Sequence, residues 1–234
     1  MKTHLTKLTV ALLATLVMSA CGGGDNATSA SYGGPALVVD ASGYSSFNST
    51  ALGLTLAALP IETLSVAEQA SLAFMREEEK LAHDVYAQMD ARWGASTRVF
   101  GNIANSEATH AEAVRQLLLR YTLVDPAATL AAGLFQNSTL QALYTQLATA
   151  GAISLIEALK VGAAIEEIDM IDINTALLNI DNQDIRLIYD NLLKGSRNHL
   201  RSFVSNLSNQ GVTYVPQYMD ALAYAAIIST PIER

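Results

Sequence analysis

Between Asn102 and Leu118 an apolar stripe recurs at offsets of four and three: Ile103, Glu107, His110, Val114, Leu117. That spacing puts all five residues on one face of an α-helix. Two of the five are a carboxylate and an imidazole. An isolated carboxylate buried in a core costs several kcal/mol or changes its protonation state. The helix can bury this face only against neighbours that compensate Glu107 and His110. A metal cation is the compensation that uses a carboxylate and an imidazole three residues apart at the same time.

Three other segments carry an ionisable residue at the same kind of position. Around Glu79 the apolar residues Leu72, Met75, Ala82 and Tyr86 fall at helical offsets, while Glu77 and Lys80 point away. Glu78 borders the same face, beside Leu81 and Val85, and competes with Glu79 for the inward position. Further on, Leu155, Leu159, Gly162, Glu166 and Asp169 share a face, and Glu167 is the alternative to Glu166. Gly162 would let a neighbouring helix approach closely one turn before Glu166. In the last of these segments Tyr189, Leu192, Ser196, His199 and Phe203 align. His83, one turn after Glu79, reads as topping such a site or facing solvent.

Helix punctuation agrees with four long helices. Ser65 with Glu68 is a capping box that opens a helix running to about Arg92, where Trp93-Gly94 ends it. A second covers roughly 97–121, a shorter one follows Asn137-Ser138 to Gly151, and Ser154 with Glu157 opens a third long helix over about 155–178. Asp181 can cap a fourth, about 182–208, ended by Asn209-Gln210-Gly211. No segment alternates convincingly as a strand. Helices of about 25 residues span roughly 37 Å, the length of a four-helix bundle. The expected fold class is all-α, a four-helix bundle with an extra short helix in a connection, over 63–210. Residues 211–234 read as a C-terminal packing arm, because Ala221 to Ile228 are apolar.

The N-terminal residues carry targeting information. Lys2 and Lys7 precede an apolar run from Leu8 to Met18, too short for a comfortable membrane span. Ser19-Ala20-Cys21, followed by three glycines, resembles a bacterial lipobox, although Met18 stands where Leu is commoner. This reading makes 1–20 a lipoprotein signal peptide and Cys21 the lipidated residue. It implies a bacterial envelope protein anchored on the periplasmic side. Residues 21–62, rich in Gly, Ser, Ala and Thr, read as a flexible tether. Cys21 is the only cysteine, so no intramolecular disulfide can form. The net charge of −8 and the lack of a basic stripe argue against nucleic-acid binding.

Taken together, Glu79, Glu107-Ala108-Thr109-His110, Glu166 with Asp169, and His199 resemble the ferritin-like di-iron carboxylate superfamily, including rubrerythrins and bacterioferritins. There each half of the bundle gives a Glu on one helix and Glu-x-x-His on the next. Phe74 to Leu81, Asn102-Ile103-Ala104 and Gly195-Ser196-Arg197-Asn198-His199-Leu200 are most similar to a bacterial and archaeal ferritin-like family labelled a domain of unknown function. The resemblance covers about 64–210. It departs at one position: the second Glu-x-x-His should carry Glu three residues before His199, and this chain has Ser196. Asp169 is the carboxylate that could replace it. Without that replacement the site holds one metal, or zinc, instead of two irons.

The resemblance implies a ligand set of Glu79, Glu107, His110, Glu166, Asp169 and His199, with Glu78 and Glu167 as reserves. Glu107 would bridge, and Tyr86 and Tyr189 would hydrogen-bond ligand carboxylates. Two iron ions are the implied cofactor, with manganese or zinc as alternatives. Ferrous iron oxidation or peroxide reduction is the implied activity, the latter with an external electron donor, since a rubredoxin-like module needs four cysteines. A homodimer is compatible with a tethered chain. The competing reading is a non-catalytic envelope lipoprotein with a structural metal or a protein partner.

Overall fold

The computed structural model describes residues 35–40 and 42–234. In chain order these form strands β1 (Leu37–Val39) and β2 (Ser45–Phe47), then helices α1 (Ser49–Ala57), α2 (Val66–Trp93), α3 (Val99–Arg120), α4 (Ser138–Gly151), α5 (Leu155–Leu177), α6 (Gln183–Asn209) and α7 (Ala221–Ile228). The expected signal peptide at 1–20 and the lipidation at Cys21 lie outside the described residues. No described helix is long and apolar enough to cross a membrane.

Helices α2 and α3 pack as one hairpin and α5 and α6 as another, and the two hairpins meet through α2–α5 and α3–α6 contacts. Helix α4 occupies the connection between them and packs on α2 and α5. This is the all-α bundle with one extra short helix that the four stripes require. Its interior holds Leu72, Met75, Val85 and Tyr86 of α2, Val114 and Leu117 of α3, Ile173 of α5, and Ile188, Leu192 and Phe203 of α6, all essentially inaccessible. At Gly162 the α6 residue Phe203 packs directly on the backbone of α5. A Cβ there would stand 2.4 Å from the ring, so only glycine admits this approach.

The caps follow the sequence closely. Glu68 N–H donates to Ser65 Oγ (3.1 Å), and Ser65 N–H donates to Glu68 Oε2 (2.8 Å), completing the capping box. Such a cap contributes about 1 kcal/mol. The other oxygen of Glu68 accepts from the backbone N–H groups of Asp181 and Asn182, both at 3.2 Å. One buried carboxylate thus ties the start of α2 to the α5–α6 turn. In consequence Asp181 is not the cap of α6; Asn182 takes that position. Glu77, which points away from the stripe of Glu79, is nonetheless buried. Its carboxylate accepts from the backbone N–H groups of Gln136 (2.5 Å) and Asn137 (3.1 Å) ahead of α4.

The tether expected over 21–62 needs correction where it is described. β1 and β2 pair antiparallel, Leu37 opposite Phe47. Leu37, Ser45, Phe47, Ala51, Leu52 and Leu56 are all buried, and β2 lies on α3. Asp40 Oδ1 accepts from the N–H groups of Ser42 (2.8 Å) and Tyr44 (3.0 Å), and Gly43 sits at φ +86°, which together turn the chain. Asn48 then caps α1. Strands of three residues bury two side chains at most, too few for alternation to stand out in the sequence.

Candidate metal centre

Each of the four long helices delivers its inward carboxylate or imidazole to one level of the bundle core. Glu79 comes from α2, Glu107 and His110 from α3, Glu166 from α5 and His199 from α6. All five are at least nine-tenths buried. Glu107 lies at the centre. Its Oε2 is 2.7 Å from His110 Nδ1, and its Oε1 is 2.8 Å from His199 Nδ1. Glu79 Oε2 approaches His110 Nδ1 to 3.5 Å, and Glu166 Oε2 approaches His199 Nδ1 to the same distance. The two imidazoles stack, with ring centroids 5.5 Å apart. The donors therefore fall into two groups that share one carboxylate: Glu79, Glu107 and His110, and Glu107, Glu166 and His199, each with its ligand atoms within 4.8 Å of one another.

The protonation equilibria follow from burial and from the position of Glu107. Burial alone would raise the Glu107 carboxyl, but the charges of His199 and His110 outweigh it and hold the group well below the ordinary carboxylate range. Burial disfavours both charged imidazoles, yet Glu107, aided by Glu166, pushes His199 up to about 9, and Glu107 with Glu79 pushes His110 well above its usual value. Glu79 is raised to about 8, chiefly by burial. Glu166 and Asp169 are raised by burial as well, and Asp169 also by the charges of Glu79 and Glu166. In the absence of a metal the cluster therefore stores protons on the atoms that would bind one.

Several buried polar atoms here have no hydrogen-bond partner: Glu79 Oε1, Asp169 Oδ1 and His199 Nδ1, the last close to Glu107 but out of alignment with it. Native interiors rarely leave such atoms unpaired. Carboxylate oxygens and imidazole nitrogens, converging from four helices, are groups that could hold a metal ion.

Asp169 faces this cluster one turn beyond Glu166. Ser196 Oγ donates to its Oδ2, leaving Oδ1 free. Asp169 joins neither three-ligand group, but the serine standing where the resemblance calls for Glu is the residue that holds it. Tyr86 OH donates to Glu166 Oε1 (2.6 Å). Tyr189 does not reach a ligand carboxylate; its hydroxyl pairs with Ser71 Oγ at 2.9 Å. His83 is partly exposed and pairs with its neighbour Asp84.

The two reserve carboxylates have other places. Glu78 is buried, lines a small cleft with Leu143, Leu147 and Asp169, and belongs to neither three-ligand group. Glu167 faces the opposite way from Glu166. It accepts from Tyr214 OH (2.6 Å) and from the backbone N–H groups of Gln217 (2.9 Å), Tyr218 (2.6 Å) and Met219 (2.8 Å), so it anchors the C-terminal arm. Glu167→Ala strands these four donors and is expected to cost about 2–4 kcal/mol in urea unfolding. Metal content should stay at the wild-type level; a proportional loss of metal would return Glu167 to the ligand set.

Two residues of the centre escaped the sequence reading, Ser45 and Ser106. Both are fully buried beside the histidines. Ser106 precedes His110 by one helical turn, so helical spacing alone could have placed it there. Ser45 arrives from the β-hairpin and carries no local signal.

A family model described as an uncharacterized protein domain, DUF2202, matches residues 68–231. The chain is 44% identical over 179 residues to the uncharacterized protein MJ0754 of Methanocaldococcus jannaschii, across 76% of this chain and 96% of that one. The crystal structure of hypothetical protein MJ0754 from Methanococcus jannaschii superposes with a TM-score of 0.73 at 44% identity, covering 75% of this chain and 99% of that chain.

Proposed function

We propose that this chain, which belongs to the DUF2202 family of uncharacterized domains, binds two divalent transition-metal ions in the manner of ferritin-like carboxylate proteins and uses them to oxidise ferrous iron or reduce peroxide. The observation that carries the reading is Glu107, one carboxylate with an imidazole Nδ1 at each oxygen, 2.7 and 2.8 Å away. Glu79 and His110 would hold one ion, Glu166 and His199 the other, and Glu107 both. Asp169, held by Ser196 with its Oδ1 unpaired, would be the carboxylate available in place of the missing Glu.

When bound, such a metal pair supplies Lewis acidity and electron transfer towards dioxygen or peroxide. The chain's own residues prepare for it. Tyr86 fixes one oxygen of Glu166 and leaves the other towards His199. Leu72, Met75, Leu117 and Leu192 help form an interior without water access, which strengthens every charge interaction inside it. His110, His199 and Glu79, whose protons are held more tightly than usual, would have to release them to ligate a metal. A peroxidase would draw electrons from an external donor. The lipobox-like residues before Cys21 extend the proposal to an envelope lipoprotein, tested by loss of lipid labelling in Cys21→Ala.

Adding ferrous iron in air to the metal-free protein is expected to give rapid near-ultraviolet ferric absorption, at least tenfold slower in His110→Ala. Equal rates in the two proteins would refute iron oxidation at this site and leave a structural role for the metal.

A further inference from the structure

We propose that Ser45, delivered by the N-terminal hairpin, is a positioning residue of the metal centre that acts with Ser106 to fix both histidines with their protons on Nε2. The proposal rests on the metal-binding reading above. Ser45 lies before residues 68–231, the part of the chain that the family model matches.

The hydroxyl protons can be assigned by elimination. Ser106 Oγ contacts the Ser45 carbonyl oxygen, which carries no proton, so Ser106 donates there. Its single proton is then spent. In the 2.7 Å contact between Ser45 Oγ and Ser106 Oγ the donor must therefore be Ser45. Both hydroxyl protons are now committed. His110 Nε2 lies 2.9 Å from Ser45 Oγ, and His199 Nε2 lies 2.9 Å from Ser106 Oγ and 3.2 Å from Ser45 Oγ. Each of these contacts is a hydrogen bond only if the imidazole nitrogen donates. Both rings thus carry Nε2–H, which leaves Nδ1 of each ring on the Glu107 side, 2.7 and 2.8 Å from its two oxygens, as the nitrogen free to ligate.

The hairpin is shaped around this contact. Phe47, two residues along β2, meets the His110 ring edge-on at 5.8 Å, and its N–H donates to Thr109 Oγ1 (3.1 Å). Ser45 and Phe47 therefore brace the same imidazole from two positions of one strand. On α6, Gly195 makes the room. A Cβ there would stand 2.6 Å from His110 Cε1 and 3.0 Å from Ser45 Oγ. Ser202 Oγ lies 3.1 Å from both the Ser42 and the Asn198 carbonyl oxygens, so its hydroxyl sits between the turn and α6.

Competition between the protein and a chelator for zinc(II) tests the proposal, read beside the imidazole N–H resonances of the metal-free protein. Ser45→Ala and Ser106→Ala should each bind zinc 10- to 100-fold more weakly than wild type, the range found when a ligand's hydrogen-bond partner is removed. In metal-free wild type both Nε2–H protons should exchange slowly with solvent, and at least tenfold faster in Ser45→Ala for His110 and in Ser106→Ala for His199. Zinc affinities within twofold of wild type, with unchanged N–H exchange, overturn the proposal. If Ser45→Ala fails to fold, Ser106→Ala decides alone by the same two readings. Wild type that binds no zinc contradicts the metal reading instead, and the exchange rates then judge the hydroxyl pair by themselves.

Discussion

Glu107→Gln is expected to empty both halves of the centre at once and to destabilise the metal-free protein. The amide is nearly isosteric, so packing changes little. It lacks the charge that sits between two buried imidazoles. With metal present, both ions lose the carboxylate they share. Without metal, His110 and His199 lose the anion that keeps them protonated, and removing one partner of a buried ion pair costs about 3–5 kcal/mol. Metal analysis of the purified variant should find less than a tenth of the wild-type content, and urea unfolding should show the stability loss. His83→Ala, at a partly exposed position away from the cluster, should change neither. Retention of wild-type metal content in Glu107→Gln would remove the shared carboxylate from the account.

The second large effect is an inverted pH dependence. The folded, metal-free protein holds protons that the unfolded chain releases. His199 is raised to about 9 and His110 also upward, through Glu107. For a raised histidine the stabilisation is complete below the unfolded value near 6.5 and is lost as pH rises through the folded value. Glu79 is raised to about 8 by burial. For a raised carboxyl the folded state prefers the neutral acid, so stability falls as pH climbs from about 4.5 to 8. Both contributions have the same sign. Between about pH 5 and 9 the metal-free protein should lose stability, by about 1.4 kcal/mol per pH unit for each proton held in excess. Metal affinity should rise over the same window, because ions displace those protons. Thermal unfolding at a series of pH values, with and without zinc, reads both trends. A metal-free melting temperature that is flat or rising from pH 5 to 9 would contradict the assignment.

The bundle was legible because its signals are local. The Ser65–Glu68 box, the Asn137 and Ser154 starts and the apolar stripes all act within one or two helical turns. The same stripes put Glu79 and Glu166 at core-facing positions and left Glu78 and Glu167 as their alternatives, since adjacent helical residues point about 100° apart. Asp169 was readable for the same reason, one turn beyond Glu166. Tyr189 was not. A stripe gives a residue's face but not its partner across the bundle. Tyr189 stands ten residues before His199, roughly 15 Å along the axis, and meets Ser71 there. Glu167 was ambiguous because its partners lie some fifty residues away in an arm without periodicity. Ser45 was invisible. Nothing in a Gly- and Ser-rich stretch distinguishes a serine that reaches His199, 154 residues later in the chain.

Anaerobic titration of the metal-free protein with ferrous iron, counted by metal analysis after desalting, reads out whether the two groups that share Glu107 bind two ions. Wild type should retain two equivalents per chain and Glu107→Gln fewer than one. No uptake of iron, with none of manganese or zinc in the same assay, would contradict that binding.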